Sequence, residues 1–321
     1  MEQSNKKQPL IKTVDLKKCF KVNGGLLHAV DGVNLEIKAG NTLGLVGESG
    51  CGKSTLGRLI LRLIEPTSGA IYFGGENIQD YNKNEMRCMR ANMQIIFQDP
   101  FSSLNPRMSV FELIAEPLVM NHVCDNKRDL SQRIFSLMNT VGLAARFVNS
   151  YPHEMDGGRR QRVGVARALA LNPQFIVCDE PVSALDVSIQ AQILNLLMDL
   201  QENMNLTYLF ITHNLSVVKH ISTEIAVMYL GQCVEKAPSD ELFRNPLHPY
   251  TKALLSAIPV AKLSHGRKRD IIRGEVSDPI NPKPGCRFTP RCNFGCEKCR
   301  SQNFPLKEVG PEHFVACNLF E

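Results

Sequence analysis

No stretch of this chain offers 18 consecutive apolar residues, so nothing in it is expected to span a membrane. Its opening, MEQSNKKQPLIKTV, carries Lys6 and Lys7 but no apolar run of the kind a secretory signal needs. Lysine and arginine are not gathered into blocks, and the net charge of +5 is mild, which argues against a nucleic-acid-binding arm. There is no internal repeat and no heptad pattern. These absences exclude secreted, integral-membrane and disordered classes and leave a cytosolic protein as the expectation. What is present is a composition of 43% hydrophobic and 21% charged residues over 321 positions. That is enough apolar material for two domains, or for one large α/β domain with an appendage.

Cysteine is unevenly spread. Six of the eleven fall singly before residue 286, whereas Cys286, Cys292, Cys296, Cys299 and Cys317 crowd the last 36 residues. Scattered thiols suit a reducing compartment, and a terminal cluster in such a chain points to metal rather than disulfides.

Apolar patterning divides the chain. Short strands are expected at Ile11–Leu16, Leu26–Ile37, Thr42–Val46, Ala70–Phe73 and Met93–Phe97, and a helix over Lys53–Ile64, where Leu56, Leu59, Ile60 and Leu63 recur at helical spacing. Residues 109–170 are mostly helical in pattern, with a break at 149–158. Phe175–Cys178, Thr207–Ile211 and Glu224–Leu230 are unalternating apolar runs, as in strands covered on both faces, and a helix over Ile189–Met204 separates the first two. Strands alternating with helices predict βαβ units and a mainly parallel sheet. From about residue 263 the composition turns to lysine, arginine, proline and cysteine, so a small C-terminal module, residues 263–321, is expected to follow a larger domain at 1–262.

Between the third strand and the following helix lies Gly47-Glu48-Ser49-Gly50-Cys51-Gly52-Lys53-Ser54-Thr55, a match to G-x-x-x-x-G-K-[ST]. Glycines let backbone N–H groups close around phosphates, and the helix N-terminus behind them favours an anion. Lys53 would reach the phosphates and Ser54 would ligate Mg²⁺. The run Phe175-Ile176-Val177-Cys178-Asp179-Glu180 brings two carboxylates to a strand end, Asp179 placed for the metal and Glu180 for polarising a water as general base.

These residues, in this order, resemble the ATP-binding subunit of ABC transporters over about residues 10–260. The resemblance implies a P-loop ATPase core with a mainly parallel sheet, an antiparallel β subdomain and a helical insertion at about 100–170. It assigns Gln98 to the loop glutamine that touches Mg²⁺ and senses the transmembrane partner. It likewise assigns Ser183-Ala184-Leu185-Asp186 to the D-loop, His213 to the switch histidine at the γ-phosphate, and Phe20 to adenine stacking. Residues 245–255, NPLHPYTKALL, resemble the segment closing the ATPase domain of oligopeptide and dipeptide importers. The resemblance thus implies a peripheral subunit on the inner face of the membrane, paired with a second homologous ATPase subunit. It also implies two permeases and an extracytoplasmic binding protein, with no nucleic-acid partner. Importers of nickel, metal chelates or glutathione share the pattern; a soluble ABC ATPase acting on DNA or ribosomes would carry tandem domains or coiled-coil inserts.

The tail resembles the cysteine-bearing extension of the same importers, which can hold an iron–sulfur cluster. On chemistry alone, four thiolates hold either tetrahedral Zn²⁺ or a [4Fe–4S] cluster. Only Cys296 and Cys299 have zinc-knuckle spacing, so Cys286, Cys292, Cys299 and Cys317 suit a cluster better, with Cys296 an alternative ligand. A module this short needs such a staple.

One loop departs from the family. The signature L-S-G-G-Q, which caps the γ-phosphate held by the opposite subunit, is here Met155-Asp156-Gly157-Gly158-Arg159. Asp156 replaces a donor by an acceptor-only carboxylate. Facing ATP, the like charges repel by on the order of 4 kcal/mol at 4 Å and an effective dielectric of ~20. Aspartate is also a good helix N-cap, and Arg159 is near enough in sequence to neutralise it in part.

Overall fold

The computed structural model describes residues 8–258, Gly274 and residues 277–321. The expected boundary at 263 lies outside the described residues. The chain divides into two compact units, residues 1–79 with 211–321, and residues 80–210.

The first unit opens with β1 (Ile11–Val22) and β2 (Gly25–Ile37), then β3 (Thr42–Val46), α1 (Lys53–Ile60), β4 (Ser68–Phe73) and β5 (Glu76–Asn77). β1 pairs antiparallel with β2 on one side and β4 on the other, which makes the antiparallel subdomain of order β2-β1-β4-β5. All five residues of β3 are buried. Helix α1 ends at Ile60, short of the expected Ile64. Arg62 adopts a left-handed φ of 49°, and its guanidinium is tied to the Glu65 carboxylate and to the Ile78 carbonyl, which pulls the chain out of the helix. Leu63, counted in the apolar stripe, is 46% exposed.

The second unit runs α2 (Lys83–Asn92), β6 (Met93–Ile96), α3 (Pro100–Ser103), α4 (Val110–Met120), α5 (Lys127–Thr140), α6 (Gly157–Leu169), β7 (Phe175–Asp179), α7 (Val187–Met204) and β8 (Thr207–Ile211). β6 and β7 are parallel, as βαβ connections require, and β8 flanks β7. Capping boxes start two helices: Asn82 with Glu85 at α2, and Ser109 with Glu112 at α4. Leu113, Ile114 and Leu118 of α4, Ile134 and Leu137 of α5, and Val163 and Leu169 of α6 are buried and form the helical core expected for 109–170.

The chain then returns to the first unit with α8 (Leu215–Ile221), β9 (Glu224–Tyr229), β10 (Gln232–Pro238), α9 (Ser239–Arg244), α10 (Pro249–Ser256), α11 (Glu297–Ser301), β11 (Lys307–Gly310) and β12 (His313–Val315). β9 lies parallel to β3, and β10 turns back antiparallel on β9. The terminal hairpin continues that sheet: β12 pairs with β10, and β11 with β12. A second stretch of the C-terminal region bridges to β2 through Leu27 and Ile280. Phe288 then packs edge-on against Tyr229, centroids 5.2 Å apart, beside a Tyr229–Tyr250 pair at 4.7 Å. The C-terminal module is therefore woven into the first unit by sheet pairing and by an aromatic core.

Candidate functional site

In the first unit, the loop from Gly47 to Thr55 leaves β3 and enters α1. A Cβ at Gly47 would lie 2.2 Å from the Met228 carbonyl oxygen, and one at Gly52 would lie 2.0 Å from that of Ala29, so only glycine fits either place. Lys53 is 5% exposed, and its ammonium donates to the carbonyls of Gly47 at 2.9 Å and Glu48 at 3.0 Å. Cys51 is buried beside it, Sγ 3.7 Å from Nζ; burial pushes the thiol up while the Lys53 charge opposes it. No acidic residue sits in the first turn of α1, whose N-terminal amides follow Gly52 directly.

Three contacts with this loop come from residues that sequence reasoning did not assign to it. The Glu48 N–H donates to Tyr250 Oη at 2.9 Å. The Glu48 carboxylate takes a two-pronged contact from Arg291, at 2.8 and 3.1 Å. The Gly231 N–H donates to the Cys51 carbonyl at 2.8 Å. Tyr250 stands in NPLHPYTKALL, and Arg291 directly precedes Cys292, so each lay in a segment already singled out; a partner 202 or 243 positions away carries no local signal.

Also in this unit, His213 is exposed just beyond β8, where Thr212 is buried with its N–H on the Leu45 carbonyl. Phe20 is half-buried in β1 opposite Leu27, with Lys18 Nζ 5.1 Å from its ring centroid. Cys286, Cys292, Cys299 and Cys317 line one cavity walled by Phe288, Phe294, Phe304 and Leu319. Burial is the main cause that pushes the thiols of Cys292, Cys299 and Cys317 up. Cys296 is exposed outside the cavity, its Sγ 3.4 Å from that of Cys299. Among the described residues, no group of three or more His, Cys, Asp or Glu side chains is drawn together to hold a metal ion, so neither the cluster nor the zinc alternative finds a ready site.

In the second unit, β7 carries Asp179, 4% exposed, to its C-terminal end. Glu180 follows with a left-handed φ of 48°, a costly conformation for a residue with a Cβ. Gln98 Nε2 donates to Glu180 Oε2 at 3.1 Å, so the structure brings these two residues together. Ser183 donates through both N–H and Oγ to the Glu180 carbonyl, at 3.3 and 3.1 Å. Asp186 caps α7 by accepting from the Ile189 N–H at 3.0 Å, and Ala184 and Leu185 lie in the turn between. At α6, Met155 is buried, and Asp156 caps the helix by accepting from the Arg159 N–H at 2.8 Å. Arg159 also pairs with Asp156 at 3.1 Å and lies over Phe147, 4.6 Å from the ring centroid. A Cβ at Gly158 would fall 2.7 Å from Ile189.

The ABC transporter family profile matches residues 30–183, and that of the oligopeptide/dipeptide transporter C-terminal region matches 234–299. The oligopeptide transport ATP-binding protein AppF of Bacillus subtilis is 49% identical, covering 98% of each chain. The dipeptide transport ATP-binding protein DppF of Haemophilus influenzae is 47% identical over 96% of each, and OppF of Salmonella typhimurium 48% identical over 96% of this chain and 95% of its own. Among solved structures, CbiO1 of Clostridium perfringens, part of the ABC transporter complex CbiONQ, aligns with a TM-score of 0.67 at 26% identity, over 74% of this chain and 92% of its own. The cassette MJ0796, in a dimeric post-hydrolysis state bound to ADP and Pi, aligns with a TM-score of 0.65 at 30% identity, over 71% and 98%. The chain belongs to the ATP-binding proteins of oligopeptide and dipeptide ABC transporters.

Proposed function

We propose that this chain hydrolyses ATP to power the import of oligopeptides or dipeptides, working as a peripheral subunit on the inner face of the membrane. Two permeases, an extracytoplasmic binding protein and a second, homologous ATPase subunit complete the assembly. The C-terminal region, matched over 234–299, supports a peptide cargo over nickel, chelates or glutathione. No helix among the described residues is long and apolar enough to cross a membrane, so translocation falls to the permeases.

The observation that carries the catalytic reading is the Gln98–Glu180 hydrogen bond. The loop fits a polyphosphate: a buried ammonium, glycines that admit no side chain, and helix-end amides with no acid among them. Lys53 and the amides of residues 50–55 bind the phosphates in this reading, with Gly47, Glu48 and Ser49 setting the loop's entry and Phe20 stacking on adenine. Ser54, Gln98 and Asp179 would hold Mg²⁺, which neutralises charge on the phosphate oxygens. Glu180, its carboxylate oriented by Gln98, accepts a proton from water as the water oxygen bonds to the γ-phosphorus. The bond from that phosphorus to the β–γ bridging oxygen breaks, leaving ADP and phosphate. His213 contacts the γ-phosphate from beyond β8. Met155, Asp156, Gly157, Gly158 and Arg159 face the partner subunit's nucleotide, and Ser183–Asp186 line the same dimer contact.

Replacing Glu180 by Gln is expected to leave Mg·ATP binding nearly unchanged, while turnover of the assembled transporter falls at least ~10²-fold, the scale of a lost general base. Lost binding with turnover per bound ATP preserved would make the glutamate structural.

For the cysteines, the reading favoured is a [4Fe–4S] cluster held by Cys286, Cys292, Cys299 and Cys317, supported by their lining one apolar-walled cavity. Either a cluster or a Zn²⁺ requires these thiols to draw closer together than the described residues hold them. Bound there, the cluster supplies a covalent staple for a short module.

A further inference from the structure

Besides the Tyr250 contact, the C-terminal region meets the phosphate loop through a charged pair. Arg291 donates from Nη1 to Glu48 Oε2 at 2.8 Å and from Nη2 to Glu48 Oε1 at 3.1 Å, the parallel geometry that makes guanidinium–carboxylate pairs strong. Its side chain is 8% exposed and that of Glu48 28%, so the pair is partly withdrawn from water. Nη1 also reaches Tyr229 Oη at 3.4 Å. Arg291 ends a single 3-10 turn, Thr289–Arg291, that is itself fixed: the Thr289 N–H bonds the Cys286 carbonyl at 3.0 Å, and Thr289 Oγ1 bonds that of Cys299 at 3.1 Å. Nearby, Arg287 is bonded to the Leu230 carbonyl and to Asp31, and the adjoining Gly231 N–H holds the Cys51 carbonyl at 2.8 Å.

Glu48 poses an electrostatic problem for this loop. A carboxylate one residue past Gly47 adds negative charge beside a site for an anion of several negative charges, and the Lys53 ammonium already serves the loop's own carbonyls. We propose that Arg291 is a positioning residue for nucleotide binding: it neutralises the Glu48 carboxylate and holds it away from the phosphates. The inference rests on the assignment of the loop as the ATP phosphate site. It makes the C-terminal region a working part of that site, through a residue that never touches the nucleotide.

The test is equilibrium binding of Mg·ATP to the purified full-length chain. Arg291→Met, which strands the carboxylate, is expected to raise Kd about tenfold. The double variant Glu48→Gln, Arg291→Met is expected to return within about twofold of the unmutated chain, because an uncharged amide at position 48 needs no counter-ion. A purely structural arginine would leave the double variant as weak as the single one. Arg291→Lys, which keeps the cation but loses the paired geometry, should weaken binding by about threefold and stands in if the methionine variant does not fold. Lys298→Gln, at an exposed pair with Glu321 in the same region, should bind normally. Unchanged affinity in the Arg291 variants, or a double variant no better than Arg291→Met, overturns the proposal. If the unmutated chain binds no Mg·ATP, the phosphate-site assignment falls and this inference falls with it.

Discussion

His248 is 1% exposed at the start of α10, where its Nδ1 accepts the Tyr250 N–H at 3.1 Å. That bond needs a neutral ring, and burial drives the imidazole down to about 4 even though Glu235 pulls it upward. Glu235 is 0% exposed and accepts from the Leu247 N–H at 2.7 Å, from the His248 N–H at 2.9 Å, and lies 2.8 Å from His313 Nε2. An unfolded histidine takes up its proton near pH 6.5 while the folded one stays neutral to about 4, so the unfolded state binds more protons in between. Stability from this site is complete above pH 6.5, declines as pH falls, and is exhausted below about 4. The slope should approach about 1 kcal/mol per pH unit between pH 6.5 and 5. His248→Asn keeps a capping acceptor without a titrating ring and should flatten that slope, read from urea midpoints at each pH. Parallel slopes in the two proteins would remove His248 from the account. The consequence reaches function, because α10 carries Tyr250 and Tyr250 holds the Glu48 N–H.

Among the elements, those buried on both faces were the legible ones. β3, β7, β8 and β9 are apolar runs whose burial is nearly complete, and their sequence pattern needs no distant partner to explain it. β10, Gln232–Pro238, carries no strand signal in the sequence because Glu235 and Lys236 interrupt its apolar pattern. Both charges are satisfied by other elements, Glu235 by His313 far along the chain and Lys236 by Glu224 on the neighbouring strand. The two strands of the terminal hairpin are four and three residues long and were hidden for the same reason: they exist as additions to β10. At the site, the phosphate loop and the Asp179-Glu180 pair were legible because their chemistry is contiguous, whereas Arg291 belongs to the loop only once the C-terminal region has packed. The cysteine spacing was legible as a set, and the structure adds a common cavity. Protein purified without oxygen is expected to be brown, with iron and sulfide each near about four per chain. Cys292→Ser should bleach it, whereas Cys296→Ser, at an exposed sulfur outside the cavity, should not. A colourless protein carrying one zinc per chain would replace the cluster with a tetrahedral ion.

For the whole transporter, the two faces of this chain are unequal. In the assembly proposed above, each ATP site would combine one subunit's phosphate loop with the other's signature loop. In the function proposed above, this chain would supply Lys53, Asp179, Glu180 and His213 to one site, but to the other Asp156, 55% exposed at the head of α6. Arg159 pairs with Asp156 at 3.1 Å, yet the pair stays open to solvent, and such pairs are weak. The carboxylate thus keeps much of its charge toward whatever binds there. The site built on this chain's phosphate loop should carry most of the turnover in a heterodimer whose partner has an intact signature, and this chain alone should hydrolyse ATP poorly. Asp156→Ser retains a capping oxygen, removes one like charge and adds a donor, so it should tighten nucleotide at the partner's phosphate loop while leaving α6 intact. Lys53→Ala, which strips the buried ammonium from the other site, should abolish most ATPase activity of the purified heterodimer. The two variants are compared there with the equivalent lysine change in the partner. If Lys53→Ala leaves most activity and the partner's lysine change removes it, then the site that includes Asp156 is the working one, and the carboxylate is tolerated at the phosphate after all.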